Sequence, residues 1–205
     1  MSPLAWICTN YTDPCTILDY CMTTTRSENE KPRVSVKILI YAFSPFGHNH
    51  KNISQQVLLS IPDHSNLIKH VFPTQFSQAQ FIKIVDEVNP DLIIGMGQYP
   101  RGKKLRIETV ALNEWRSKSH PTITLINSVG EREIKVTHAL HPTKETYPSI
   151  NAGRYVCNYS MYIFGSWARS HNAKFAFLHI PKSYDLSTAV QFIEHELSNY
   201  HLQGN

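Results

Sequence analysis

Three side chains in this sequence could together carry out nucleophilic chemistry on a carbonyl group. Cys157 follows a small-residue turn at 152–153 and is predicted to lie in the first turn of a helix. Backbone N–H groups and the positive end of the helix dipole meet there, so they favour the thiolate, which is the nucleophilic form of the thiol. His179 closes an apolar run, and Glu108 opens an extended segment. A thiol, a base and a carboxylate that orients the base are the nucleophilic set of a cysteine peptidase.

Each of the three residues also has an ordinary structural interpretation. A lone Cys near a helix start is often a small buried hydrophobe, and a His at the end of a buried strand is often a structural residue. A single Glu is commonly a solvated charge. The combination of Cys157, His179 and Glu108, rather than any one of them, therefore carries the catalytic hypothesis.

These residues must be positioned by alternating strands and helices. Apolar runs predict strands at residues 36–43, 67–72, 91–97 and 174–180, and the continuous run in the first of them implies burial on both faces. The spacing of apolar residues predicts helices at residues 53–61, 78–88, 155–171 and 186–200. Further extended segments are predicted at residues 107–113 and 122–127. This alternation predicts an α/β fold with a mainly parallel sheet, whose reactive groups collect beyond the carboxyl ends of the strands.

The size and composition are typical of one globular domain. The chain has 205 residues, of which 41% are hydrophobic and 18% are charged, enough for a substantial core. The first residues differ from the rest, since three consecutive threonines lead into the polar run 26–33. The change in composition predicts a partly mobile N-terminal extension at residues 1–34 and a catalytic domain at residues 35–205.

The charge pattern and the apolar runs argue against two classes of partner. The formal net charge is only +4, and the one dense basic cluster, at residues 101–106, has no interleaved aromatic residues, so no nucleic-acid partner is predicted. No apolar run approaches the roughly 18 to 20 residues that cross a bilayer, so no membrane partner is predicted either. The N-terminus lacks the pattern of a secretory signal.

The cysteine and histidine spacings predict neither a metal site nor a cofactor. Cys8, Cys15 and Cys21 match no common zinc pattern, and a reducing cytoplasm is the simplest setting for them, with one local disulfide as the alternative. A metal-dependent hydrolase would need to use the pairs His48 and His50 or His138 and His141, which lack a matched carboxylate pattern. A nucleoside-handling enzyme would need a glycine-rich phosphate loop, and none is evident.

From about residue 36 to the end, the sequence resembles the pyroglutamyl peptidase (pyrrolidone carboxyl peptidase) family of cysteine peptidases. Four segments follow the order of the family: residues 43–47 with Asn52 and Ser54, then 97–98, 108–113 and 152–158. Residues 177–181 are similar to the family's histidine segment. The resemblance implies a three-layer α/β/α sandwich that hydrolyses the bond after an N-terminal pyroglutamyl residue of a peptide.

The resemblance also implies roles for individual residues. Cys157 matches the nucleophile, which would form a thioester, His179 matches the base and Glu108 matches the orienting carboxylate. Substrate-binding positions of the family match Phe43, Phe46, Asn52, Thr74, Gln98, Tyr155 and Val156. Aromatic and aliphatic members would form a slot for the uncharged lactam ring, with core packing as the alternative role of Phe43 and Phe46. Asn52 and Gln98 would bind the lactam or hold the neighbouring loops.

Three features depart from the family pattern. The glycine-rich loop of the family is replaced by residues 99–102, which read Tyr-Pro-Arg-Gly. The region 114–151 is short and leaves no room for the helix that the family has there. The family's arginine after the Glu segment has two candidate counterparts, Arg116 and Lys118. A non-catalytic relative that binds a peptide terminus or a protein is the alternative function, and the oligomeric state is left open.

Overall fold

The computed structural model describes residues 36–47 and 50–203 of the chain. Its strands are β1 (Ile38–Phe43), β2 (Leu67–Phe72), β3 (Leu92–Tyr99), β4 (Leu105–Glu108), β5 (Val110–Leu112), β6 (Glu133–Lys135), β7 (Thr146–Ser149) and β8 (Lys174–Pro181). Its helices are α1 (Ile53–Ser60), α2 (Gln78–Val88), α3 (Val156–Ser170) and α4 (Leu186–Gln203). The predicted extension at 1–34, with its three cysteines, and His48 lie outside the described residues.

Six strands form one sheet in the order β2-β1-β3-β8-β4-β7. Every neighbouring pair in this sheet is parallel except β4 and β8, which run antiparallel. Strands β5 and β6 form a separate antiparallel pair. The predicted, mainly parallel sheet is confirmed, and the single antiparallel contact brings β4 against the strand that carries His179.

Helices cover both faces of the sheet because its strands are apolar on both sides. In β1, Ile38, Ile40 and Ala42 pack into the core under α1 and α4. The alternate residues Leu39, Tyr41 and Phe43 pack into the core under α2 and α3. Successive side chains of a strand point to opposite faces, so a continuous apolar run supplies both cores. The α/β/α sandwich that the resemblance implies is confirmed.

The region between β5 and α3 differs in detail from its prediction. Residues 122–127 do not form the expected strand: they contribute one isolated bridge, between Thr124 and Trp115, and most of them are exposed. Strands β6 and β7 were not predicted, because each is only three or four residues long and shows no apolar run. The described chain has no helix here, as the short length of the region implied.

The predicted extended segment 107–113 is divided between two sheets. Strand β4 ends at Glu108, and β5 begins at Val110 in the second sheet. Between them, Thr109 donates hydrogen bonds from its backbone N and from its Oγ1 to the carbonyl of Ser149. The break leaves Glu108 at the end of its strand, opposite Phe177 of β8 and two residues along that strand from His179. None of the described helices is long and apolar enough to cross a membrane.

Candidate active site

The thiol of Cys157 lies in the first turn of α3, as predicted. Tyr155 is the N-cap residue, and the preceding turn contains Gly153 with φ at +82°, a left-handed conformation that favours glycine. Next to the thiol, the buried side chain of Asn158 accepts a hydrogen bond from Leu112 N at 2.8 Å. It also donates to the carbonyls of Leu112 and Glu114, at 2.9 and 2.8 Å. The start of α3 is therefore fixed against β5, the strand that follows Glu108.

His179 and Glu108 form a buried pair beside this thiol. The imidazole Nδ1 lies 2.8 Å from Glu108 Oε1, and the two residues are 5% and 0% exposed. Cys157 lies beside the same ring, and because Nδ1 faces the carboxylate, Nε2 is the ring nitrogen left to accept the proton of the thiol. The geometry is that of a thiol, a base and a residue that orients the base.

The protonation of His179 depends on these two neighbours. Burial by itself lowers the pKa of the imidazole, because it penalises the charged form. The negative charge of a Cys157 thiolate and the hydrogen bonds to Cys157 and Glu108 act in the opposite direction, and together they raise the pKa of His179 to about 9. At neutral pH the arrangement therefore favours the protonated form of His179.

Space for the thiol and the imidazole comes from Gly97 of β3. Gly97 is the register partner of His179 in the parallel pair β3 and β8. A Cβ atom at this position would lie 2.7 Å from Cys157 Sγ and 3.0 Å from His179 Cδ2. Any side chain at position 97 would occupy the place where the sulfur and the ring meet. The sequence analysis used this glycine only as part of a motif. A glycine inside a buried strand can indicate that other groups approach the backbone closely at that position.

Besides His179, Arg106 also contacts Glu108, and the sequence analysis did not predict this contact. Its Nη2 lies 3.2 Å from Glu108 Oε1, the same oxygen that His179 contacts. The signal was available in the sequence, because residues two apart on a strand share a face. Of the two candidates for the family's arginine, Lys118 lines the cavity described next and Arg116 does not.

A cavity of about 660 Å³ opens in front of Cys157 and His179. All seven residues predicted for substrate binding line it: Phe43, Phe46, Asn52, Thr74, Gln98, Tyr155 and Val156. Phe43 is buried and also packs against the rings of Tyr41 and Phe72, whereas Phe46 is 45% exposed. Phe76 lines the cavity as well and was not predicted. Tyr99 and Pro100, from the loop that departs from the family pattern, form part of the wall.

The polar residues of the wall hold the loops around the cavity. Asn52 caps α1 by accepting a hydrogen bond from Ser54 N at 3.0 Å, and its Nδ2 donates to the Ser44 carbonyl. Thr74 Oγ1 donates to the same carbonyl at 2.9 Å. Gln98 Oε1 accepts from Ile53 N at 3.1 Å, at the start of α1. Of the two roles considered for Asn52 and Gln98, the structure provides direct contacts for loop support.

The histidines considered for a metal site have other neighbours. His141 Nδ1 lies 3.0 Å from the buried Glu196 carboxylate, and the ring of His138 packs edge-on against Tyr200. Burial lowers the pKa of His138 to about 4, with nearby Lys174 and His141 acting in the same direction. Within the described residues, no three His, Cys, Asp or Glu side chains are grouped so that they could hold a metal ion.

Comparison with known proteins identifies several relatives of the chain. The family model for pyroglutamyl peptidase matches residues 36–122. Pyrrolidone-carboxylate peptidase 2 of Caldanaerobacter subterraneus subsp. tengcongensis is 32% identical over 167 residues, which cover 71% of this chain and 81% of the relative. The pyrrolidone-carboxylate peptidase of Thermoanaerobacter sp. is 30% identical over 167 residues, covering 71% of this chain and 82% of the relative.

Two solved structures share the fold. The pyrrolidone carboxyl peptidase from Thermococcus litoralis has a TM-score of 0.71 at 19% identity, covering 83% of this chain and 96% of that one. Bacillus amyloliquefaciens pyroglutamyl peptidase I has a TM-score of 0.69 at 22% identity, covering 78% of this chain and 94% of that one.

Proposed function

Because the chain belongs to the pyroglutamyl peptidase family of cysteine peptidases, we propose that it hydrolyses the bond between an N-terminal pyroglutamyl residue and the next residue of a peptide. The observation that carries this proposal is that His179 is hydrogen-bonded to Glu108 and lies beside Cys157 at a cavity with aromatic walls. The substrate is a peptide that begins with pyroglutamate.

In the proposed reaction, Cys157 attacks and His179 moves protons. The thiolate adds to the carbonyl carbon that joins pyroglutamate to the next residue, and the imidazolium donates its proton to the leaving amine as the C–N bond breaks. A thioester remains on Cys157. His179 then takes a proton from water, the resulting hydroxide attacks the thioester, and the thiolate leaves. Glu108 holds the ring through Nδ1 and stabilises its positive charge.

The cavity wall suits a substrate without a charged amino terminus. A free α-ammonium group in an apolar site requires a carboxylate partner, and the described residues that line the cavity include neither Asp nor Glu. Phe43, Phe46 and Val156 instead offer apolar surface to the neutral lactam ring. The volume of about 660 Å³ also leaves room for part of the residue that follows pyroglutamate.

A non-catalytic binding protein of the same fold is the less favoured function. Such a protein would have no need of a base fixed by a buried carboxylate beside a thiol, and His179 is held by Glu108 beside Cys157 in this way. We also propose that the protein acts in the cytoplasm, since a thiolate nucleophile persists in a reducing compartment.

A hydrolysis assay with three matched substrates tests the function. Under reducing conditions, the full chain should release the fluorophore from a pyroglutamyl amide. It should act poorly on the prolyl amide, which has the same ring size with a charged amine, and on the glutamyl amide, which is the open-chain form. The function is wrong if the folded protein, with an alkylatable Cys157, releases nothing from the pyroglutamyl amide, or if it cleaves the prolyl amide equally well.

A further inference from the structure

Arg106 lies directly opposite His179 where β4 and β8 run antiparallel. Directly opposed residues of an antiparallel pair point to the same face with their Cβ atoms about 4.5 to 5.5 Å apart, and like charges in these positions repel. Between the two residues lies Glu108, whose Oε1 is 3.2 Å from Arg106 Nη2 and 2.8 Å from His179 Nδ1. Two cationic groups therefore share one oxygen of a carboxylate that is completely buried.

The position of the guanidinium is determined by further contacts. Its Nη2 donates to Ser149 Oγ at 2.6 Å and to the Asn151 carbonyl at 2.7 Å. Its carbon lies 4.4 Å from the ring centre of Tyr99 and 5.9 Å from that of Tyr147. Cation–π contacts and hydrogen bonds of this kind, on a side chain that is only 13% exposed, fix the charge in place. Asn151 lines the cavity, so Arg106 also joins the catalytic carboxylate to the cavity rim.

Arg106 and Glu108 contact each other through one nitrogen and one oxygen only. A side-on arginine–carboxylate pair uses both Nε and Nη2, whereas here Arg106 Nε and Glu108 Oε2 are buried without a hydrogen-bond partner. A fully paired carboxylate would have less negative potential to offer the imidazolium. The single contact neutralises part of the negative charge of Glu108. The remaining negative charge stabilises the protonated imidazole of His179.

We propose, on the basis of the proposed peptidase function, that Arg106 is a positioning residue that sets how strongly Glu108 retains the proton on His179. The imidazolium must form beside the thiolate, and it must then give its proton to the leaving amine. A carboxylate without a second cation would hold that proton more tightly. Arg106 weakens this hold by its charge, and it orients the carboxylate and the rim at residues 149–151 by its hydrogen bonds.

Other ionisable groups around His179 do not replace this charge. Cys157 faces the ring from α3, and the ring centre of Tyr99 in β3 lies 6.2 Å away. Burial raises the pKa of Tyr147 in β7 and that of Tyr41 in β1, so both phenols remain neutral. Lys182 follows β8 and lines the cavity. Among the described residues, Arg106 is the cation that forms an ion pair with Glu108 besides His179 itself.

The test compares Arg106→Gln, which removes the charge, with Arg106→Lys, which keeps it but loses the planar contacts. For Arg106→Gln we expect the alkaline limb of the kcat profile to move up by about one pH unit, because a like charge next to His179 is removed. In the same variant kcat should fall roughly tenfold with little change in KM. The loss is a part of the rate enhancement that general acid–base catalysis contributes, because His179 would release its proton less readily. In Arg106→Lys the limb should stay near its original position.

Two controls distinguish the effect of losing the charge of Arg106 from an effect on folding. Arg169→Gln removes an arginine that pairs with the exposed Glu131, away from the cavity, and should leave the limb unchanged. Arg106→Met, which keeps an apolar stem between the two tyrosines, replaces Arg106→Gln if the latter does not fold. The proposal is overturned if the neutral variant leaves the limb in place, or if the Lys variant shifts it equally.

A titration without substrate distinguishes this proposal from the peptidase function. The ring C–H resonance of His179, assigned by its loss in His179→Gln, reports the imidazole pKa by NMR. In Arg106→Gln this pKa should rise by the same unit. If the original protein shows no hydrolysis, the proposed function fails, while the titration still decides whether Arg106 acts on His179.

Discussion

A Cβ atom on Gly97 would lie 2.7 Å from the sulfur of Cys157, closer than a side-chain carbon and a sulfur can approach. The buried strand β3 therefore needs a glycine at the position where the nucleophile meets the base. Sulfur and imidazole occupy the space that any other residue would fill.

We predict that Gly97→Ala lowers kcat for the pyroglutamyl amide by roughly 100-fold or more, because the added methyl group displaces the thiol by about an ångström from its attacking position. Overpacking should also reduce the free energy of unfolding by about 1–3 kcal/mol. Gly95→Ala is the matched control, since its Cβ would meet Phe177 and Tyr41 at 2.5 Å instead of the thiol. That variant should lose stability by chemical denaturation and keep a larger share of activity than Gly97→Ala. The reverse order would contradict the role of Gly97.

For the nucleophile, we predict that Cys157→Ser abolishes hydrolysis without unfolding the protein, because a hydroxyl is a far poorer nucleophile than a thiolate in this setting. An alkylating reagent should inactivate the original protein by modifying Cys157 before Cys8, Cys15 or Cys21. Peptide mapping at partial inactivation gives that order. Hydrolysis by the Ser variant at the original rate would remove Cys157 from the mechanism, and a metal chelator should have no effect on the original protein.

Glu108→Gln should reduce kcat by a smaller factor than His179→Ala does. The amide oxygen can still accept the hydrogen bond from Nδ1, but it carries no charge to stabilise the imidazolium, so we expect losses of roughly 10 to 100-fold against roughly 1,000-fold or more. Steady-state kinetics on folded variants measures both. Glu131→Gln, at an exposed carboxylate, is the control. Equal and complete losses would mean that Glu108 shapes the site, and full activity of Glu108→Gln would exclude it from the mechanism.

The raised pKa of His179 predicts how activity depends on pH. The leaving amine needs the proton of the imidazolium, so kcat should fall as the pH rises through about 9, where His179 loses that proton. Because the folded-state pKa lies above the usual 6.5, this group stabilises the fold fully below pH 6.5 and progressively less as the pH rises through about 9. In Cys157→Ala the thiolate is gone, so NMR should show a lower pKa of His179 and the stability should depend less on pH. An unchanged pKa in that variant would contradict the ion pair.

The N-terminal boundary at residue 34 remains a prediction, because residues 1–35 lie outside the described part of the chain. Deleting residues 1–34 should leave hydrolysis within a few-fold of the full chain, since β1 begins at Ile38 and the three catalytic candidates all lie beyond it. Activity and thermal unfolding of the two forms provide the comparison. A truncated protein that folds but does not hydrolyse would show that the extension completes the substrate site, and one that fails to fold would place the boundary elsewhere.

Much of the fold could be predicted because its signals are local. Apolar runs mark β1, β3 and β8, apolar residues at both ends mark β2, and each helix shows the spacing of one buried face. Strands β6 and β7 carry no comparable signal, since three or four residues with a single buried side chain cannot be distinguished from a loop. Their pairing depends on neighbours that are distant in the chain. Residues 122–127 show the opposite error: a strand was predicted there, but Ile123 and Leu125 stay exposed.

The sequence by itself determined the residue types of the site and the ends of the elements that carry them. Cys157 at a helix start, His179 at a strand end and Glu108 in an extended segment follow from local pattern, and the resemblance to the family supports their roles. Only the tertiary structure decided which of these side chains touch. The contact between His179 and Glu108 joins residues 71 positions apart, and it depends on β4 running antiparallel to β8. That same pairing sets Arg106 opposite His179, and no local pattern reveals it, because strand register is fixed by the packing of the whole sheet.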